Sequence, residues 1–176
     1  KQKNIQTISV EAKDVKDTAS TLCTTDQKPN LVFIGCPHCS INELRRVAAA
    51  LEGRKIRKDI ELWVCTSRHV KERASNYVST IERAGGQVLC NTCVLVTWIK
   101  DIGMDTIMTN SAKTAYCAPA LNEVEAILAP LEQCIQAPCK SCIMLRLLRS
   151  CFFGHNQDLI ETIGISLDEP FLYNLN

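Results

Sequence analysis

Glycine and proline are scarce in this chain, at 7 and 6 residues of 176, which excludes collagen-like, fibrous and low-complexity classes. Long apolar runs are missing as well. None approaches the roughly 20 residues a bilayer-crossing helix needs, so no membrane span is expected. An excess of one charge is also absent: 20 basic residues face 19 acidic ones, for a net charge of +1. Without a Lys/Arg cluster, neither nucleic acid nor an anionic membrane surface is an expected partner. The opening residues KQKNIQTISVEAKDVKD include no signal-type apolar stretch and no initiator methionine. The chain therefore reads as a processed form or a fragment, with a cytoplasmic location expected.

What the chain has in abundance is cysteine, 11 residues. An odd number cannot be fully paired within one chain. A domain of this size, 46% hydrophobic and 22% charged, builds a core without cross-links. Reduced thiols are the expectation, and a cysteine-ligated metal becomes a candidate.

From about residue 30 the pattern alternates strand and helix. Asn30–Gly35, Glu61–Cys65, Gln87–Cys90, Asp105–Met108 and Glu123–Leu128 read as five short strands. Ser40-Ile41-Asn42-Glu43 is a capping box opening a helix, with Ile41, Leu44, Val47, Ala48 and Leu51 on one face and Gly53 as the stop. Ser67 is expected to cap one helix carrying Val70, Ala74, Tyr77, Ile81 and Ala84 to the Gly85-Gly86 terminus. A short helix towards Tyr116 follows Thr109-Asn110-Ser111, Val94–Val96 is a further apolar patch, and Pro130 is expected at the first position of a last helix through Ile135. Such spacing predicts an α/β fold, a doubly wound and mainly parallel sheet with helices on both faces. Residues 1–138 form this unit, and 139–176 read as an irregular C-terminal tail, apolar and basic over Ile143–Phe153.

Three C-x-x-C pairs occur, Cys36/Cys39, Cys90/Cys93 and Cys139/Cys142. A zinc ribbon brings two pairs together over about 15–20 residues, and these stand farther apart. Cys23, Cys65 and Cys134 read as small buried hydrophobes. Cys36-Pro37-His38-Cys39 is expected to follow a strand and open a helix, where the helix N-terminus stabilises a thiolate. A thiol–disulfide oxidoreductase using Cys36 and Cys39 is one reading; a non-catalytic α/β remnant whose cysteines only pack is another. A third comes from the strand ends taken together. In a doubly wound sheet the loops holding Cys36, His38 and Ser40, Cys93, and Asn110, Ser111 and Lys113 converge. They offer soft thiolates for iron, an imidazole and hydroxyls for proton transfer, and a lysine beside a helix N-terminus for an anionic substrate.

These segments also resemble a known family. FIGCPHCSINEL, a strand ending in NTC, and MTNSAKTAYCAP occur in order with Leu51-Glu52-Gly53-Arg54-Lys55, Leu62-Trp63-Val64-Cys65-Thr66-Ser67-Arg68 and Ile81-Glu82-Arg83-Ala84-Gly85-Gly86. Together, over roughly residues 5 to 138, they resemble the aconitase X family, dehydratases distantly related to aconitase. The resemblance implies a hydro-lyase that removes water from a hydroxy acid such as cis-3-hydroxy-L-proline or mevalonate 5-phosphate. An iron–sulfur centre, or iron, would act as Lewis acid. It implies Cys36 and Cys93 as metal ligands, with a third ligand outside this chain. It also implies a missing N-terminal segment and a small swivelling domain or subunit as partners. Cys39, Cys90 and Cys117 stand where the family usually has other residues and are not counted as ligands.

Overall fold

The computed structural model describes residues 8–139. The chain begins with α1 (Ala12–Thr21) and enters the sheet at β1 (Leu31–Cys39). There follow α2 (Ile41–Leu51), β2 (Glu61–Thr66), α3 (Arg68–Arg73), α4 (Ser75–Ala84) and β3 (Gln87–Cys90). Two 3₁₀ turns, Val94–Val96 and Ile99–Ile102, lead to β4 (Thr106–Thr109), α5 (Ala112–Asn122), β5 (Glu125–Leu128) and α6 (Leu131–Gln136). The sheet is five-stranded in the order β3-β2-β1-β4-β5, with every pairing parallel. This is the doubly wound α/β arrangement expected, and its winding reverses between β1 and β4.

Alternation along the strands divides the core in two. Val32, Ile34, Leu62, Val64 and Met108 point to one face, where they pack with residues of α2, α4 and α6. Leu31, Phe33, Trp63, Cys65 and Ile107 point to the other, against residues of α1, α5 and the 3₁₀ turns. Because both faces are covered, the central strand is an unbroken apolar run: Leu31, Val32, Phe33 and Ile34 are all buried.

Several boundaries differ from the sequence expectation. The helix predicted after Ser67 is two helices. Ala74 leaves the helical region at φ −111°, ψ 27°, and this bend lets both Val70 and Val78 reach the same core cluster. The helix after Ser111 runs past Tyr116 and through Pro119 to Asn122, because Ala115, Ala118 and Asn122 are buried along it. Glu123 ends it in the left-handed region, φ 55°, so β5 starts at Glu125. Pro130 is the N-cap of α6, its ψ of 152° being extended, and Leu131 is the first helical residue. The apolar patch Val94–Val96 is a 3₁₀ turn, and α1 was not foreseen at all.

The largest difference concerns β1. Its extended backbone does not end at Gly35 but continues to Cys39, so Cys36 does not open a helix. The expected tail lies outside the described residues apart from Cys139, which is buried and forms an isolated antiparallel bridge with Ile56.

Candidate functional site

The irregular end of β1 builds the site. Ile34 pairs with Val64, and the next pairing is Cys39 with Thr66. Gly35 to His38 therefore stand opposite Cys65 alone, as an outward bulge. Glycine is required at its start. Gly35 has φ +120°, and a β-carbon there would lie 2.3 Å from the carbonyl oxygen of Cys65. Past it the Cys36–Pro37 bond is cis. On the inner side the Thr66 hydroxyl donates to the Cys39 carbonyl at 2.6 Å.

The bulge reaches the loop that follows β3. His38 Nε2 lies 2.8 Å from the carbonyl oxygen of Thr92. A carbonyl only accepts, so the proton sits on Nε2. That loop is itself tied to the end of β2: Asn91 N–H donates to the Thr66 carbonyl at 3.1 Å, and Asn91 Oδ1 accepts from Arg68 N–H at 3.2 Å. Cys36 and Cys93, each partly exposed, are thus carried on two loops joined by a hydrogen bond.

The thiols gather more densely than the sequence suggested. Cys65 is buried at the end of β2. Its burial first, and then the neighbouring Cys93, Cys90 and Cys36, push its thiol up to about 12. Cys65 is the buried core residue the sequence predicts; its place at a strand end is the one local sign that it lies near other cysteines. Cys39 belongs to the opposite face. It packs in the cluster with Leu44 and Val47, whereas Cys36 packs against the cluster of Phe33 and Trp63. Burial, then Glu43 and Cys65, pushes the Cys39 thiol up to about 12. The two sulfurs of the C-x-x-C motif therefore occupy different faces of the sheet, an arrangement unfit for a dithiol pair.

Among the described residues, no three His, Cys, Asp or Glu side chains are arranged to hold a metal ion. Cys36 and Cys93 are suitable soft donors. They fit an iron–sulfur group only as part of a ligand set completed from elsewhere.

Ser40 is engaged locally. Its hydroxyl donates to Glu43 Oε2 at 2.7 Å and accepts from Glu43 N–H at 3.3 Å, closing the predicted capping box. Across the switch point, β4 ends at Thr109 and Ser111 caps α5, accepting from Thr114 N–H at 3.3 Å. Thr109 Oγ1 receives the Ser111 N–H at 3.2 Å. Asn110 is half-buried and Lys113 is exposed on the first turn. Thr114, fully buried in that turn, has a hydroxyl with no partner among the described residues. One loop pair thus offers thiols and an imidazole, and the neighbouring helix start offers N–H groups and an ammonium suited to an anion.

The profile of the aconitase X third domain matches residues 29–140. The chain is 38% identical over 134 residues to the phosphomevalonate dehydratase large subunit of Methanocaldococcus jannaschii, covering 75% of this chain and 33% of that protein. It is 33% identical over 112 residues to a cis-3-hydroxy-L-proline dehydratase of Pseudomonas aeruginosa, covering 61% of this chain and 19% of that one. The crystal structure of Thermococcus kodakaraensis aconitase X in its holo-form superposes with a TM-score of 0.68 at 30% identity, over 76% of this chain and 35% of that chain. The chain spans about a third of the length of the first of these relatives.

Proposed function

The chain belongs to the aconitase X family, and we propose that it is the third-domain part of a hydro-lyase that removes water from an anionic hydroxy acid. Mevalonate 5-phosphate is the preferred substrate, because the large subunits named for phosphomevalonate are its more similar relatives, and cis-3-hydroxy-L-proline is the second candidate. The observation that carries this reading is the His38–Thr92 hydrogen bond, which joins the Cys36 loop to the Cys93 loop.

In the assembled enzyme Cys36 and Cys93 hold an iron–sulfur centre together with a ligand from the rest of the protein. When bound, that centre supplies a Lewis acid for the departing hydroxyl. His38 holds its loop through Nε2–H and keeps Nδ1 as the atom able to take or return a proton. Ser40, through its bonds to Glu43, fixes where the loop meets α2. Asn110, Ser111 and Lys113 bind the phosphate or carboxylate at the start of α5, where the helix dipole favours negative charge. Partners in this reading are the remaining portion of the large subunit and a small subunit.

The test is reconstitution. This chain replaces the matched third of the Methanocaldococcus large subunit, is co-expressed with the small subunit, and is assayed for dehydration of mevalonate 5-phosphate and of cis-3-hydroxy-L-proline. Turnover of either supports the reading; a folded, iron-loaded chimera that dehydrates neither refutes it.

A further inference from the structure

Helices α2 and α4 pack side by side on one face of the sheet, and a groove of about 420 Å³ lies between them. That volume is within the range of small-ligand sites. On α2, Arg45, Ala48, Ala49 and Glu52 line it at helical spacing, and the two alanines leave space that larger side chains would fill. Asn76, Tyr77, Ser79 and Arg83 supply the opposite wall from α4. None of the candidate site's residues lines it.

The groove gathers positive charge that the fold leaves uncompensated. Arg46, one position along, forms an ion pair with Glu132 at 2.7 Å. Arg45 and Arg83 form none among the described residues, and Glu52, the one acid on the walls, pairs with neither. Lys55 adds a third cation nearby, its ammonium donating to the Arg83 carbonyl at 2.6 Å. Two guanidiniums lining one groove repel each other, a cost that a bound anion removes. Arg83 is also held in place: its Nε–H donates to the Ser79 carbonyl at 3.2 Å, and its Nη2–H to Thr80 Oγ1 at 3.1 Å. Thr80 is fixed in turn by donating to the Asn76 carbonyl at 3.1 Å. The rest of the Arg83 fork is therefore available to a ligand at little ordering cost.

We propose that this groove is a second ligand site, for a small phosphate monoester. A phosphate carries about −1.5 to −2 charges and three strong acceptor oxygens, enough for both arginines and a hydroxyl from Tyr77 or Ser79; a carboxylate offers a single charge. The rest of the ester lies on Ala48, Ala49 and the Tyr77 ring. The proposal stands independently of the dehydratase reading.

The test is calorimetric titration of the full chain in a Lys113→Ala background, so that the start of α5 adds no anion site. Phenyl phosphate, inorganic phosphate and benzoate are the probes. Phenyl phosphate is expected to bind at least about tenfold more tightly than benzoate, which has the same ring and one charge. It should also outbind inorganic phosphate, which has no ring to lay on the alanines. Arg45→Ala and Arg83→Ala should each weaken it roughly 10- to 100-fold, the loss of a hydrogen bond between charged groups. Arg54→Ala, at an exposed arginine outside the groove, should change nothing. Ala49→Phe keeps both charges but fills the groove, and should prevent binding. Melting midpoints within about 2 °C of the background separate these losses from unfolding. Absence of phenyl phosphate binding, or undiminished binding in the arginine or Ala49→Phe variants, overturns the site. Binding seen in the unaltered chain but lost in the Lys113→Ala background also overturns it, in favour of α5. Equal affinity for benzoate refutes the phosphate, and equal affinity for inorganic phosphate refutes the ester.

Discussion

His38 and Thr92 are separated by 54 positions in the chain, yet the imidazole Nε2 and the main-chain oxygen stand 2.8 Å apart. This contact makes one site of two cysteine loops. It is exposed to solvent, so it contributes little to folding and chiefly sets position. In the reconstituted enzyme His38→Ala is expected to lower both iron content and activity, while the chain's melting temperature hardly changes. His38→Gln retains an N–H able to meet Thr92, so iron content should recover. Activity should stay low by about 10²–10⁴-fold, the usual contribution of a general acid–base group. Recovery of activity in the Gln variant would make His38 a positioning residue only.

Gly35 makes that geometry available, and alanine there meets two obstacles. The backbone angle, φ +120°, disfavours a side chain, and the β-carbon would strike the Cys65 carbonyl at 2.3 Å. Gly35→Ala should destabilise the full chain by at least about 1–3 kcal/mol in urea unfolding. Gly53→Ala is the control: Gly53 also has positive φ, but nothing lies within 4 Å of its would-be β-carbon. The smaller loss belongs to Gly53, and equal losses would mean that Cys65 yields.

Much of this architecture was legible beforehand, and the gaps have physical causes. The Ser40–Glu43 box, the β-branched runs and the Gly85 terminus are local signals, and they mark α2, the existence of the five strands and the end of α4, though not where β1 ends or β5 begins. The β1 bulge was not readable, because it depends on the space above Cys65, a residue of another strand. The neighbours of Cys65 likewise follow from parallel register, which leaves no mark in the sequence. The break at Ala74 has no glycine or proline to announce it. Helix α1 buries only Ala19, too small an apolar stripe for periodicity to reveal.

Thiol accessibility separates the two cysteines of the C-P-H-C motif. Cys36 is partly exposed and Cys39 buried, so alkylation of the native chain at mildly alkaline pH should label Cys36 well before Cys39. Labelling of Cys39 as fast as Cys36 would revive the dithiol reading. A pH effect follows from the same burial. Cys39 is held at about 12 against an ordinary 9.0, and Cys134 is also raised, chiefly by burial. Folded, these thiols keep their protons where the unfolded chain has lost them, so stability is intact below pH 9 and declines as pH rises from about 9 towards 12. Urea midpoints should fall across that interval. Cys39→Ala should flatten the decline, though it costs stability at neutral pH.

Lys113 provides the sharpest test of the anion site. It stands on the first turn of α5, exposed and outside every ion pair found among the described residues. If it only solvates the surface, Lys113→Ala changes nothing measurable. If it meets the substrate's phosphate or carboxylate, the variant gives up a hydrogen bond to a charged group, about 1.5–3 kcal/mol, or roughly 10- to 100-fold in affinity. Ser111 cannot serve as the same probe, because it caps α5 by accepting from Thr114 N–H, and its loss would cost about 0.5–2 kcal/mol of stability on its own account. Lys113→Ala in the reconstituted enzyme should therefore raise KM for mevalonate 5-phosphate, with iron content and melting temperature unchanged. The increase should shrink in high salt, where the lysine's attraction for the anion is already screened. A KM that does not move leaves the start of α5 as a capped helix end and nothing more.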